Sequence, residues 1–194
     1  MIPKLIFASH NANKTREIAD LLAGAMQVQS LNDIGFTQEI IESGLTLQAN
    51  AHIKSSTIFN LIGLNCFADD TGLMVEALNG EPGVFSARYA GIEKNPVLNN
   101  QKLLANLQNS QNRKAKFVTV ISLFLEGKEY FFEGVLEGTI GFELAGEEGF
   151  GYDPLFIPFG SNRTLAQMSL AEKNTISHRK IAFKKMADFF LKGN

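Results

Sequence analysis

Cys66-Phe67-Ala68-Asp69-Asp70-Thr71-Gly72-Leu73 is the stretch whose reading decides the fold. An apolar run from Leu61 to Phe67, broken by Gly63 and Asn65, gives way abruptly to two adjacent carboxylates, a hydroxyl and a glycine. The end of that run reads as a buried strand that delivers Asp69 and Asp70 to its C-terminal edge, with Gly72 freeing the backbone to turn. In open α/β sheets ligands gather at the carboxyl ends of strands, so chemistry is expected here. Two acids in that position suit a divalent cation, a general base, or both. They also suit a polar turn that merely caps a strand.

Composition narrows the setting. The chain has 194 residues, 45% of them hydrophobic, enough for one substantial core or two closely joined lobes. A net charge of −2 gives no general attraction to polyanions, so nucleic acid is not an expected partner and any phosphate must be met by a few placed cations. One cysteine, Cys66, rules out an intramolecular disulfide and fits a reducing compartment. His10, His52 and His178 are too scattered to form a zinc-binding pattern. With no charged-then-apolar leader and no apolar run long enough to span a bilayer, a soluble, cytoplasmic protein without a membrane partner is expected.

Upstream of the acidic strand, Lys4 to Ala8 reads as a short strand that breaks at Ser9-His10-Asn11-Ala12-Asn13-Lys14. A helix follows, with Ile18, Leu21, Leu22 and Ala25 at helical spacing and Gly24 near its end. Strand, polar loop and helix start form a geometry in which backbone N–H groups and the helix dipole hold an anion. Asn11 can cap this helix, and Lys14 falls in its first turn. A cation there opposes the dipole, which either a bound phosphate or simple solvation would accommodate. No glycine-rich Walker loop is present, which argues against the common nucleoside-triphosphatase fold.

Glu42-Ser43-Gly44 leads into a second helix from about Thr46 to Leu61. At about 100° per residue, Leu47, Ala51, Ile58 and Leu61 share a stripe that also holds Lys54. A lysine inside an apolar stripe needs a carboxylate or phosphate partner, or must snorkel to solvent. His52 lies off the stripe. Beyond the acidic strand, Gly80 to Gly91 is a shaped loop in which Arg88 could bind phosphate or brace backbone carbonyls. Asn95-Pro96 opens a helix that buries Val97, Leu103, Leu104 and Leu107. Phe117 to Leu125 and Glu129 to Val135 form a hairpin through Glu126-Gly127-Lys128, so the sheet is mixed, and any two lobes share it.

In the last third, Gly149-Phe150-Gly151-Tyr152-Asp153-Pro154 leaves Phe150 flanked by glycines, either tucked into the core or offered as a stacking platform. Ser169-Leu170-Ala171-Glu172 is a capping box that starts a short helix carrying Lys173. Ser177 caps a final amphipathic helix that buries Ile181, Met186, Phe189 and Phe190. His178 and Arg179 therefore sit in its first turn, where donor-rich groups oppose the dipole. Solvated side chains would explain this, and so would a functional site, where local rules are commonly broken.

Taken together these segments closely resemble the inosine triphosphate pyrophosphatase family, the non-standard purine nucleoside triphosphatases. The matching stretches, in family order, are residues 9–14, 42–46, Asn50-Ala51 with Lys54, 67–73, 82–91, 149–154, and Lys173-Asn174 through Ile176-Ser177-His178-Arg179. The resemblance implies one ITPase-like domain over residues 1–194, built as an elongated mixed β-sheet flanked by helices, with two lobes around a central cleft, and a homodimeric assembly. It implies Mg²⁺-dependent hydrolysis of inosine, deoxyinosine and xanthosine triphosphates to monophosphate and pyrophosphate, cleansing the nucleotide pool. Ser9, His10, Asn11, Ala12, Asn13 and Lys14 would line the triphosphate, and Lys54 would also bind substrate. Asp70 would be the general base, and Glu42, Asp69 and Asp70 the metal-site acids. Thr71, Phe150, Gly151, Tyr152, Asp153, Lys173, His178 and Arg179 would contact substrate. Ala49 and Ala171 replace acids that are common in bacterial relatives. The alternatives are a Maf-type nucleotide pyrophosphatase of other specificity and, because of Ala49, a nucleotide-binding sensor that has lost hydrolysis.

Overall fold

In a computed structural model, residues 4–22 and 26–191 are described, except the side chains of residues 12, 13, 17, 20 and 21. Strand alternation sets the first core. Along β1 (Lys4–Phe7), Leu5 and Phe7 face one way, while Ile6 and the following Ala8 face the other. The first pair packs with Ile18 and Leu22 from α1 (Ala12–Leu21) and the turn after it, and with Ala182, Phe183 and Met186 of α5 (His178–Leu191). The second pair packs with Ile58 of α2 (Leu47–Ile62). β3 (Cys66–Val75) repeats the pattern, with Phe67 in the first core and Cys66 and Ala68 in the second. Each of these side chains is at most 3% exposed.

The remaining elements are β2 (Gln27–Ser30), α3 (Pro96–Asn106), β4 (Lys114–Leu125), β5 (Lys128–Ile140), β6 (Phe156–Pro158) and α4 (Leu170–Ile176). The six strands lie in the order β2-β1-β3-β4-β5-β6. β1 pairs in parallel with both β2 and β3, whereas β5 and β6 are antiparallel, so the sheet is open and mixed, as expected. Glu126 and Gly127 join β4 to β5 with φ of 50° and 79°, the doubly left-handed turn that suits a two-residue hairpin.

The chain divides into two packing units. The first comprises residues 1–70, 119–134 and 181–194, and the second 71–118 and 135–180. The first holds the two cores just described. On its α2 face a polar thread runs from buried Ser55 through Ser122 to Glu129, which also meets His52 at 2.8 Å. The core of the second is formed by Leu73, Val75, Leu103, Leu107, Phe117, Ile140, Leu155 and Phe156, among others.

Several local expectations need correction. β3 does not stop at Asp69-Asp70 but continues to Val75, because Leu73 and Val75 keep supplying buried apolar side chains beyond the polar residues. Gly72 is a residue of that strand rather than a turn. Leu61 and Val97 are 61% and 57% exposed, so each falls outside its helix's buried face. Gly24 and Ala25 lie outside the described residues. The caps expected at Asn11, Asn95, Ser169 and Ser177 each accept from the helix that follows, and Thr46, expected as a helical residue, is the cap of α2 instead.

Candidate active site

The first unit gathers charge around β3, and strand alternation again decides who meets whom. Asp69 faces the same way as Phe67, while Asp70 faces the way of Ala68, toward α2. Asp69 Oδ2 accordingly lies 2.7 Å from Lys14 Nζ of α1, and the Asp69 side chain is 1% exposed. Asp70 meets α2 instead. Its Oδ1 is 3.3 Å from Lys54 Nζ, and its Oδ2 accepts from Asn50 Nδ2 at 3.2 Å. Lys54 Nζ also donates to Glu42 Oε1 at 2.8 Å, so one ammonium holds both carboxylates. Adjacent positions in the chain thus place the two aspartates in different surroundings.

The lysine inside the apolar stripe therefore has carboxylate partners. Burial pulls the Lys54 pKa down, but Asp70, Glu42 and Asp69 together outweigh it, and the net shift is upward. For Asp70 burial is the largest influence and raises the pKa, with Glu42 adding to the rise and Lys54, Lys14 and Asn50 opposing it. The result is a carboxyl held above its ordinary range, the direction that suits a group that must take up a proton near neutrality.

Asn50 was not among the sequence candidates, although it is as central as any of them. It is fully buried, and while Nδ2 serves Asp70, Oδ1 accepts the Gly44 N–H at 2.8 Å. That bond stitches the Glu42 segment to α2. A Cβ on Gly44 would stand 2.7 Å from Asn50 Oδ1 and 2.8 Å from the Ala49 methyl, so only glycine lets the segment approach. The available signal was an asparagine between Leu47 and Lys54 on the buried face of a helix, where an amide needs partners. Ala49 itself sits in the first turn, its N–H on Thr46 Oγ1 at 3.0 Å.

In the loop before α1, the Asn11 N–H donates to Ser9 Oγ at 3.2 Å and the Lys14 N–H to Asn11 Oδ1 at 3.1 Å. His10 is held between Asn32 Oδ1 and the Gln38 carbonyl and stacks on Phe36 at 6.1 Å. The side chains of Ala12 and Asn13, both expected to line phosphate, lie outside the described residues.

The second unit carries the aromatic and cationic candidates. Phe150 is 68% exposed, so the open choice between core and platform resolves toward an exposed ring. Its N–H donates to Asp153 Oδ2 at 2.9 Å, and Lys173 Nζ binds that same oxygen while standing 4.9 Å from the Phe150 ring centroid. Gly149 has φ of 83°, and a Cβ there would lie 2.2 Å from Asp153 Oδ2, so glycine is required beside this pair. Tyr152 is buried, donates to the Ser86 carbonyl at 2.9 Å, and has its phenol pKa pushed up by burial. His178 stacks on Phe117 at 4.9 Å, and Arg179 is 7% exposed. Neither is a solvated surface residue. Thr71 follows Asp70 in β3, half-buried. Arg88 lies over the Phe85 ring at 5.3 Å.

Among the described residues, no three His, Cys, Asp or Glu side chains converge to hold a metal ion. Mg²⁺ does not need such a cage, since one or two carboxylates with waters and substrate phosphates complete its shell. Glu42 and Asp70 present hard oxygens to a common cation already, and so fit that requirement.

Fold and site together define a mixed-sheet α/β protein with a buried carboxylate–lysine cluster in its first unit and an aromatic–cation group in its second. The chain belongs to the Ham1 family, whose model matches residues 5–189. It is 49% identical over 189 residues to a dITP/XTP pyrophosphatase of Christiangramia forsetii, covering 97% of this chain and 100% of that protein. It is 48% identical over 185 residues to the dITP/XTP pyrophosphatase of Flavobacterium johnsoniae, covering 95% and 96% respectively. Among solved structures, the Staphylococcus aureus Ham1 protein aligns with a TM-score of 0.92 at 36% identity, over 98% of this chain and 100% of that one. A HAM1 protein from Coxiella burnetii aligns with a TM-score of 0.93 at 35% identity and the same coverage. The family resemblance carried by the seven sequence stretches is thereby confirmed.

Proposed function

We propose that this protein hydrolyses non-standard purine nucleoside triphosphates, those of inosine, deoxyinosine and xanthosine, to the monophosphate and pyrophosphate. The observation that carries the reading is the Glu42–Lys54–Asp70 cluster, which holds a carboxyl with raised proton affinity beside a fixed cation. The relatives named dITP/XTP pyrophosphatase supply the substrate class.

Asp70 takes the proton from the attacking water. Lys54 keeps it ionised between turnovers, and Asn50 fixes its orientation through Oδ2. Glu42 and Asp70 would hold Mg²⁺, which when bound neutralises charge on the phosphate oxygens. Asp69 acts through Lys14, the buried carboxylate holding that ammonium at the start of α1, where with Ser9, His10, Asn11, Ala12 and Asn13 it meets the phosphates. In the second unit, Phe150 offers a face for the purine, its N–H held by Asp153, whose carboxylate Lys173 anchors in turn. Arg179, with His178, donates to a 6-oxo group. Adenine presents an amino donor at that position, leaving donors facing one another unpaired, which disfavours it.

A homodimer belongs to the same proposal, with individually exposed apolar side chains such as Phe85, Ile92, Val97 and Leu98 available for contact, and sedimentation would test it. Among the described residues no helix is long and apolar enough to cross a membrane. The buried free thiol of Cys66 fits work in a reducing, cytoplasmic setting.

The testing experiment is Asp70→Asn, assayed for pyrophosphate release from inosine triphosphate with Mg²⁺. Turnover falls by about 10²–10⁴ with folding retained. Activity comparable to the parent would remove Asp70 from the general-base role. A nucleotide-binding sensor would release no pyrophosphate in either form.

A further inference from the structure

α3 carries two consecutive buried asparagines, and they do different things. Asn99, 4% exposed, is satisfied at both ends. Its Oδ1 accepts the Ala90 N–H at 2.7 Å, and its Nδ2 donates to the Ala87 carbonyl at 3.0 Å, bracing the 83–91 loop. Asn100, 5% exposed, donates from Nδ2 to the Gly151 carbonyl at 2.8 Å, and its Oδ1 is buried with no hydrogen-bond partner among the described residues. The orientation of the amide is fixed by chemistry, because a carbonyl can only accept and the atom facing it must be the nitrogen.

A buried acceptor with no partner opposes folding, and two asparagines in mid-helix are poor helix formers. Leucine at position 100 would remove both liabilities and cost only the donor to the Gly151 carbonyl, so the two effects on stability roughly offset. Net stability therefore gives little reason for an amide there, whereas its bond does something specific: it holds the carbonyl of Gly151, the residue that directly follows Phe150. That ring is 68% exposed, and Lys173 lies 4.9 Å from its centroid. On its other side the loop is tied by Tyr152 to the Ser86 carbonyl, in the segment that Asn99 braces. We propose that Asn100 is a positioning residue, which through the Gly151 carbonyl sets the pose of the Phe150 ring for the purine and so governs substrate binding rather than the hydrolytic step. This rests on the reading of Phe150 given above.

The chain contains no tryptophan, so Phe150→Trp installs a single reporter at the ring itself. In that background Asn100→Leu is expected to lower steady-state anisotropy and shift the emission maximum to the red while Tm is unchanged or higher. With Phe150 intact, Asn100→Leu and the near-isosteric Asn100→Asp, which cannot donate to a carbonyl while ionised, raise KM for inosine triphosphate about tenfold with kcat within about twofold. In a Phe150→Ala background the same substitutions raise KM no further. Unchanged emission and anisotropy overturn the inference, as does an undiminished KM effect without the ring. A protein that fails to hydrolyse inosine triphosphate would defeat the functional reading instead, and the tryptophan measurement would still decide the role of Asn100.

Discussion

Replacing Lys54 with methionine tests the cluster most revealingly, because it removes a charge while keeping the apolar stem of the side chain. The ammonium contacts Glu42 at 2.8 Å and Asp70 at 3.3 Å, with side-chain exposures of 11%, 30% and 13% for Lys54, Glu42 and Asp70. Breaking a buried pair costs about 3–5 kcal/mol because an uncompensated charge is left behind. Glu42 can turn toward water, so the lower end, about 3 kcal/mol at pH 8, is expected. For a chain of this size that is a fall in Tm of about 6–12 °C. The loss should also depend on pH. Without the lysine, burial and Glu42 hold the Asp70 pKa further above its unfolded value. A carboxyl so raised binds its proton more tightly when folded, so stability is recovered as pH falls through that pKa. Urea unfolding without added metal, at pH 8 and pH 5, measures this. A loss of similar size at both values, or none at pH 8, would refute the electrostatic account of the cluster.

Arg179→Ala should erode the preference for inosine over adenosine triphosphate by about tenfold or more while sparing pyrophosphate release, measured as the ratio of kcat/KM values. Unchanged selectivity would move base recognition elsewhere. Gly138 pairs with Pro158, and a Cβ there would lie 2.3 Å from the Ile157 carbonyl oxygen. Gly138→Ala should therefore cost about 1–3 kcal/mol in thermal or urea unfolding. Burial pushes the Cys66 thiol up to about 12 from 9.0, so the native protein at pH 8 should resist thiol reagents that label the urea-unfolded chain within minutes. The same shift contributes stability below about pH 9 that is lost as pH climbs toward 12.

How far the sequence could be read depended on whether a residue's meaning was local. Asn11, Asn95 and Ser169 signal helix starts through contacts three or fewer residues away, and those starts are where expected. Lys54 declared itself by standing in an apolar stripe, but its two carboxylates come from positions 12 and 16 residues away in sequence. Asp69 and Asp70 looked like one pair in the chain. The side-chain alternation of β3 separates them, and that became clear only once the strand was seen to run on through Gly72. An asparagine on the buried face of a helix signals that its amide needs partners but not which ones, and Asn50 and Asn100 have no distinctive spacing to name them. Their importance lies in partners 20 and 51 residues distant.

Hydrolysis of inosine triphosphate in ¹⁸O-labelled water with Mg²⁺, followed by mass analysis of both products, tests the central proposal most directly. Attack at the α-phosphorus yields labelled inosine monophosphate and unlabelled pyrophosphate in equal amounts. Inosine diphosphate with labelled phosphate, or label in the pyrophosphate, would contradict it.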